Sequence, residues 1–286
     1  GIRTGSNSVV RYNYINIDQR GDNAYGFWVG EYKENIEFAH NIINTTNGRG
    51  ILLDQSSGIK IHDNYVETYE NKIDDPCTVY PPSGTYAFRI RYDSRNHHIY
   101  NNTVLANAYG GEGGRGVALV LSNTISDSNI TIESNIFMAT GDGTVEGIGV
   151  LVENNNESIH PKHMFKNNHI ISDDILVSFF GRANERGNNF LSYNDTYELG
   201  ENPTSSYTWL YFRPEVSNTS ETDNIKGNIF TNPKLIGLTF NDIYYHPYCD
   251  LYDCEFSVAW DSKFSLIEGS STVQGATFEI TDSEMV

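Results

Sequence analysis

A short pattern recurs along most of this chain and constrains its fold more than any other feature. In each copy, two apolar residues separated by one position are followed three positions later by an asparagine, and a further apolar residue follows that asparagine. The clear copies centre on Asn13, Asn41, Asn64, Asn102 and Asn135, and weaker copies centre on Asn168, Asn194 and Asn228. Successive asparagines are 23 to 38 residues apart. Repetition at this interval is typical of a solenoid, in which neighbouring repeats bury a shared core.

Most copies are preceded by a second apolar segment, as at residues 26–29, 50–53 and 116–121, and each asparagine is followed by a third. These segments alternate with period two, which predicts β-strands with one buried face, and no helical periodicity appears. A β-propeller is excluded because each of its blades needs four strands and about 40 or more residues. The sequence therefore predicts an all-β solenoid of about eight three-strand coils over residues 1–232.

The asparagine column has a physical explanation. Asparagine tolerates the left-handed backbone of a sharp corner, and its amide can bond the equivalent asparagine one coil away. Over residues 8–232, this column resembles the asparagine ladder of right-handed parallel β-helices of the pectate-lyase-like superfamily. The resemblance implies that fold. Residues 233–286 break the repeat and are predicted to form a C-terminal cap, and we expect an N-terminal cap upstream of residue 1, because an open solenoid end exposes strand edges.

The composition of the chain bears on which partners it can bind and on where in or outside the cell it is located. The chain has 19 Lys and Arg against 37 Asp and Glu, a formal net charge of −18, which argues against nucleic acid. It has no apolar run of the roughly 18 residues that a membrane-spanning helix needs. Six Asn-x-Ser/Thr sequons and the nearby pair Cys249 and Cys254 favour an extracellular or cell-surface location. We expect a monomer.

Charged residues of the first strand in each coil converge on one outer face when the coils are aligned on the asparagine column. The alignment places Trp28 and Arg89 in one outward column, and Asp54 and Arg91 in the next, which Glu153 extends. The same alignment points Val117 and Ile148 inward, and Ala118 and Gly149 outward. Four arginines also fall within 27 residues of a chain that is poor in cations; they are Arg89, Arg91, Arg95 and Arg115. This face is the predicted site.

The predicted catalytic residues are Arg89, Arg91, Asp54 and Asp93. The two arginines suit a uronate carboxylate and the enolate-like charge that follows proton abstraction. The two aspartates suit a cation or an acid–base pair for hydrolysis. No cofactor is assigned, and calcium is the candidate cation.

Aromatic residues are predicted to stack on sugar rings at this site, and a further arginine is predicted to contact substrate. These substrate-binding candidates are Trp28, Tyr80, Tyr86 and Arg115. The alternative interpretation is that Arg89 and Arg91 pair with carboxylates on neighbouring coils as an exposed salt-bridge ladder of little energetic consequence.

Residues 1–7, the tyrosine- and asparagine-rich coils and the acidic balance resemble the β-helical region of methanogen disaggregatases. That family is associated with breaking a uronate-rich matrix polysaccharide that holds cells together. The resemblance implies an extracellular enzyme that degrades an acidic polysaccharide and disperses cell aggregates, without assigning catalytic residues. The paired arginines favour a lyase slightly, and a hydrolase using Asp54 with Asp93 or Glu153 is the second possibility. A non-catalytic cell-surface or glycan-binding solenoid is the alternative from another functional class.

Overall fold

The structure is a computed structural model of the 286-residue chain. It describes residues 1–18, 24–71, 85–109, 115–122, 128–141, 146–154, 163–181, 186–187, 190–204, 207–214, 223–226, 229–231, 233–238, 242–245, 249–252, 255–258, 273–274 and 277–280. Within these residues all regular structure is β-strand. No helix long and apolar enough to cross a membrane occurs in the described segments.

The strands form three long parallel sheets and a short fourth one. Sheet A contains β1 (Ile2–Arg3), β4 (Tyr25–Val29), β7 (Arg49–Asp54), β10 (Thr85–Arg91), β13 (Arg115–Ser122), β16 (Glu146–Asn154), β19 (Ile175–Gly181), β23 (Thr208–Pro214) and β27 (Ile243–Tyr245). Sheet B contains β2 (Val9–Arg11), β5 (Glu37–Ala39), β8 (Lys60–His62), β11 (His98–Tyr100), β14 (Ile130–Glu133), β17 (His163–Lys166), β21 (Phe190–Tyr193), β25 (Ile229–Thr231), β29 (Glu255–Val258) and β31 (Thr277–Ile280).

Sheet C contains β3 (Tyr14–Asp18), β6 (Ile42–Thr46), β9 (Tyr65–Asn71), β12 (Thr103–Tyr109), β15 (Ile136–Thr140), β18 (His169–Ser172), β22 (Thr196–Leu199) and β26 (Lys234–Ile236). The fourth sheet contains β20 (Arg186–Gly187), β24 (Asp223–Lys226), β28 (Cys249–Tyr252) and β30 (Val273–Gln274). Each coil passes through sheets A, B and C in turn, and every strand pairs in parallel with its equivalent in the next coil. The predicted right-handed parallel β-helix is confirmed.

The core consists of columns of apolar side chains that repeat at one position per coil. In sheet B, the paired residues Phe38, Ile61, Ile99, Ile132 and Phe165 form such a column, and all five are fully buried. Because alternate residues along a strand point to opposite faces, every second residue points into the solenoid, and stacking the coils buries a continuous interior. The pattern that predicted strands therefore also built the core.

The asparagine ladder lies at the corner between sheets B and C. The Nδ2 of each ladder asparagine donates to Oδ1 of the next one, as from Asn64 to Asn102 and from Asn102 to Asn135, both at 2.9 Å. The backbone N–H of each donates to the same oxygen. The left-handed residue, however, is the one before the ladder asparagine; these residues are Tyr12, His40, Asp63, Asn101, Ser134, Asn167 and Asn194, with φ between 53° and 59°. The prediction that the ladder asparagine itself takes this conformation is wrong.

The ladder ends differently from the prediction. Asn194 occupies the left-handed corner, and Asn168 Nδ2 donates instead to Oδ1 of Asp195 at 2.9 Å. In earlier coils, the residue after each ladder asparagine donates its N–H to the backbone carbonyl of the ladder asparagine one coil before. Lys234 donates to the Asp195 carbonyl in the same way, so Pro233 occupies the ladder position of its coil. Proline offers neither an amide side chain nor an N–H, so the ladder stops there. Asn228 lies outside the described residues, and Ile229 after it pairs in sheet B.

Residues 233–286, predicted to form a cap, contribute described strands β26, β27, β28, β29, β30 and β31, which add to the four sheets. The described part of this segment therefore continues the parallel pairing of the coils before it. Its role as a cap stays a prediction.

Sheet A departs from the predicted alignment in β13 and β16. Phe88 pairs with Leu119 and Arg89 with Val120, two residues further along than expected. Ala118 and Leu119 are consecutive members of the interior core, so strict alternation breaks between them. As a result, Val117 and Ile148 lie in a second apolar cluster on the outer side of the sheet. A side chain at Gly149 would meet the core residue Ile170, which places Gly149 inward as well.

Candidate functional site

The predicted site lies on the outer side of sheet A, across β1, β4, β7 and β10. We call this surface the arginine–aromatic face and define it by Arg3, Tyr25, Trp28, Arg49, Asp54, Tyr86, Arg89 and Arg91. Register places these residues on adjacent coils: Arg3 pairs with Trp28, Tyr25 with Arg49, and Asp54 with Arg91. Adjacent coils are ~4.8 Å apart, so the charged and aromatic groups form one continuous surface.

Arginines and aromatic rings alternate along the first part of the face. The Arg3 guanidinium lies 3.6 Å from the Trp28 ring centroid, and the Tyr25 ring centroid lies 5.7 Å from that of Trp28. Arg49 Nη1 donates to the Tyr25 hydroxyl at 2.8 Å, and its guanidinium lies 5.3 Å from the Tyr86 ring centroid. Cation–π contacts of this kind hold the rings and the charges in fixed positions.

Arg91 pairs with a carboxylate of the adjacent coil, and Arg89 pairs with one two coils away. Arg91 Nη2 donates to Asp54 Oδ2 at 2.9 Å. Arg89 Nη2 donates to Ser122 Oγ at 3.2 Å and lies 3.6 Å from Glu153 Oε2. The salt-bridge arrangement that the sequence analysis gave as the alternative interpretation is therefore present, and the predicted convergence of both arginines with Asp54 and Glu153 is present too.

Several polar atoms on this face have no hydrogen-bond partner within the described structure, although they are shielded from solvent. They are Trp28 Nε1, Asp54 Oδ1, Arg89 Nε and Arg91 Nε. The side chains of Asp54, Arg89 and Arg91 are 14%, 19% and 24% exposed, so each reaches the surface. Buried polar atoms are usually satisfied, so the charged groups of this face are less completely paired than those of the asparagine corner.

Asp93 lies on the turn that follows β10, in a groove beside the face. The groove has a volume of about 450 Å³ and is lined by Tyr32, Lys33, Glu34, Gln55, Ser56, Ser57, Asp93 and Arg95. Gln55 directly follows Asp54, so the groove adjoins the arginine–aromatic face. Asp54 and Asp93 thus belong to adjoining surfaces. Asp54 forms an ion pair with Arg91, whereas exposed Asp93 lines the groove together with Arg95.

The other predicted contacts have different outcomes. Trp28 and Tyr86 lie on the face, and Tyr80 lies outside the described residues. Arg115 begins β13, where its Nε lies 3.1 Å from Glu146 Oε2. A calcium ion at Asp54 Oδ2 would compete with the Arg91 guanidinium, which already supplies the opposing charge there.

Arg3, Tyr25 and Arg49 belong to the face but are absent from the predicted site residues. Alignment of the repeats could have found two of them, because Tyr25 and Arg49 each directly precede a glycine that begins an apolar segment. With Arg89 and Arg91, the face carries four arginines of a chain with 19 basic residues in all and a net charge of −18.

Chemically, this arrangement can bind a ligand that carries carboxylates on an extended backbone with apolar ring faces. Guanidinium groups bind carboxylates through paired N–H donors, and tryptophan and tyrosine present flat apolar surfaces with a polar edge. No protein-family model matches the chain, and no curated protein matches it either.

Proposed function

We propose that the arginine–aromatic face binds an acidic, uronate-containing polysaccharide. The observation that carries this proposal is the alternation of four arginines with aromatic rings on one outer face of a chain whose net charge is −18. A uronate polymer carries a carboxylate on each uronate ring, which suits the guanidinium groups of Arg89 and Arg91. The apolar faces of its sugar rings suit stacking on the partly exposed rings of Trp28 and Tyr86.

The ion pairs of the face are compatible with this role. Arginine–carboxylate pairs that reach the surface, as these partly exposed ones do, are worth on the order of 1 kcal/mol, so a substrate carboxylate can replace Asp54 or Glu153 at an arginine without a large loss. Before substrate binds, the carboxylates of Asp54 and Glu153 hold the guanidinium groups in place. The face is therefore preorganised, and ordering of the arginine side chains costs little at the moment of binding.

Cleavage of the bound polysaccharide is the second candidate function, with a lyase ahead of a hydrolase. Arg89 and Arg91 occupy alternate positions of one strand, which suits neutralising a uronate carboxylate while the adjacent proton is removed and the glycosidic bond breaks. In a hydrolase, Asp54 would act with Asp93 from the adjoining groove or with Glu153. The resemblance to methanogen disaggregatases supports an enzyme of this class, outside the cell or at its surface, that disperses aggregates.

Binding is tested with affinity gels and calorimetry on polygalacturonate, alginate and a neutral glucan. We expect the acidic polymers to bind and the double variant R89A/R91A to lose at least about tenfold in affinity, because each lost charged hydrogen bond costs ~1.5 kcal/mol or more. Arg11→Ala is the matched control, since Arg11 also pairs with a glutamate but on sheet B. Equal binding of acidic and neutral polymers, or unchanged binding by R89A/R91A, contradicts the proposal.

Cleavage is tested on the same polymers by following unsaturated-uronate absorbance and reducing ends together, with calcium and with a chelator. Absorbance growth identifies a lyase, and reducing ends without absorbance identify a hydrolase. Binding without either product leaves the glycan-binding solenoid as the function.

A further inference from the structure

A second cluster of chemically versatile side chains lies away from sheet A, at the corner between sheets B and C. It consists of His40, His62 and Asp63. One ring nitrogen from each histidine and one carboxylate oxygen of Asp63 all lie within 4.8 Å of one another. Two imidazoles and a carboxylate are a common ligand set for divalent transition metals.

The ladder brings these three residues together. His40 and Asp63 each hold the left-handed corner position, with φ of 54°, directly before a ladder asparagine. Asn41 and Asn64 are joined by a 3.1 Å hydrogen bond, which holds the two corners at the spacing of adjacent coils. His62 is the last residue of β8 and directly precedes Asp63. The ligand atoms therefore project from backbone that the ladder makes rigid.

Aromatic stacking sets the orientation of both histidine rings. The His40 ring stacks on Tyr12 with centroids 5.1 Å apart and planes inclined by 6°. The His62 ring stacks on Tyr100 with centroids 4.5 Å apart and planes inclined by 7°. Since rigid rings lose little freedom when they bind an ion, this stacking favours a preformed site.

A carboxylate outside the cluster completes the arrangement. The His62 Nε2–H donates to Glu37 Oε1 at 3.0 Å, and Glu37 in turn accepts from Arg11 Nη2 at 2.5 Å. The other ring nitrogen, Nδ1, faces Asp63 Oδ2 at 2.7 Å. Metal-binding histidines usually donate their second ring N–H to a carboxylate, which orients the ring and strengthens the nitrogen as a ligand.

We propose that His40, His62 and Asp63 bind a divalent transition-metal ion of the zinc class, with Glu37 as the residue that positions His62. The ion takes the place of the proton between His62 Nδ1 and Asp63 Oδ2, and that proton leaves to solvent. Tetrahedral zinc with bonds of ~2.0–2.1 Å needs ligand atoms about 3.4 Å apart. The 2.7 Å gap between His62 Nδ1 and Asp63 Oδ2 therefore has to open, and His40 has to adjust from its present position within 4.8 Å of them; the side chains of His40 and Asp63 are exposed, which leaves them room to move. Imidazole ligands disfavour calcium and magnesium, which prefer all-oxygen sites.

The test is calorimetric titration of zinc chloride into the chelator-treated, dialysed full chain, with magnesium in excess to occupy exposed carboxylates. We expect one tight zinc site in the wild-type protein. H40N and D63N remove one ligand each and keep the corner, because asparagine holds the same left-handed position at Asn101, Asn167 and Asn194. Both variants are expected to weaken zinc binding by more than tenfold, and E37Q by about tenfold through loss of the positioning carboxylate.

His98→Gln is the matched control, since His98 lies on the same sheet B and its ring contacts Tyr100 at a centroid distance of 4.5 Å, with the planes inclined by 37°. It should bind zinc as the wild type does, and circular dichroism and thermal unfolding should show all variants folded. The cysteines are unchanged in every variant, so zinc held by them cannot produce the expected difference. No zinc binding by the wild type, or equal affinity in H40N, D63N and H98Q, overturns the proposal. Polysaccharide binding is measured on the same variants and should be unchanged, so this site and the arginine–aromatic face succeed or fail separately.

Discussion

The asparagine corner and the arginine–aromatic face use polar side chains for opposite purposes. At the corner, buried Asn102 takes part in five side-chain hydrogen bonds of 2.9 to 3.1 Å. On the face, Arg89 and Arg91 pair only through their outer nitrogens, and each leaves its Nε without a hydrogen-bond partner in the described structure. Saturated buried polar groups make a stable scaffold, whereas the guanidinium groups of the face reach the surface and leave part of their hydrogen-bonding capacity unused. We therefore expect stability to depend on the corner between sheets B and C, and the proposed binding to depend on sheet A.

The largest expected effect comes from breaking the corner. Asn102→Ala should lower the free energy of unfolding by about 3 kcal/mol or more, because it leaves several buried groups of Asn64, Asn135 and the strand carbonyls without partners. Urea unfolding measures this change, with Asn16→Ala as the control, since Asn16 is exposed on sheet C and should shift stability by less than ~0.5 kcal/mol. Similar losses from both variants would show that the ladder contributes little.

The end of the ladder, where Asp195 takes the place of an asparagine, provides a second test of the corner. Burial raises the pKa of Asp195 from its ordinary value of 3.8 to about 6, against hydrogen bonds from Ser192 and Asn168 that lower it. The folded state therefore prefers protonated Asp195, so the carboxyl contributes stability that is complete below about pH 4 and is lost as pH rises through about 6.

Asp195→Asn should consequently stabilise the protein at pH 7.5 by up to about 3 kcal/mol, since the amide carries no charge and can donate like the earlier ladder residues. The gain should shrink towards pH 4. Thermal unfolding of both proteins across this pH range measures it. A gain that does not depend on pH would contradict the argument from the buried charge.

The smallest effect on stability is expected at the face. Asp54→Asn should cost about 1 kcal/mol or less, because its pair with Arg91 is partly exposed. The same change should raise affinity for acidic polysaccharides several-fold, since Asp54 no longer competes for the Arg91 guanidinium. Glu133→Gln on sheet B, which removes a carboxylate near Lys166, is the control. Weaker binding by Asp54→Asn would instead make Asp54 a direct contact of the sugar.

Much of the fold was predictable because the determining interactions repeat. The spacing of Asn41, Asn64 and Asn102 implied the coils, and the alternation before and after them implied the strands. The error in sheet A came from the alignment of neighbouring copies. Consecutive inward residues recur in successive coils, as at Ala87–Phe88, Ala118–Leu119 and Leu176–Val177. The strict alternation assumed for β13 and β16 shifted these strands by two residues and so placed Val117 and Ile148 inward.

The candidate site was predictable only in part, for a related reason. Parallel register places Arg89, Arg91 and Asp54 together, and alignment of repeats could find that. The pairing of Arg89 with Glu153, two coils away, depends on side-chain conformations that no pattern encodes. The contact of Arg49 with Tyr86 also depends on how long side chains lean along the strands, as does the meeting of His40, His62 and Asp63.

The sequence by itself determined the parallel solenoid, since backbone pairing, apolar alternation and the asparagine corner are local features repeated in every coil. Only the tertiary structure decided which residue turns the corner, where the ladder ends at Asp195 and Pro233, and which charges face each other on sheet A. The physical reason is the sequence separation of the residues involved. The strand pattern depends on residues that are near one another in sequence, whereas the partner of a surface charge is a residue from another coil that stacking brings within a few ångströms.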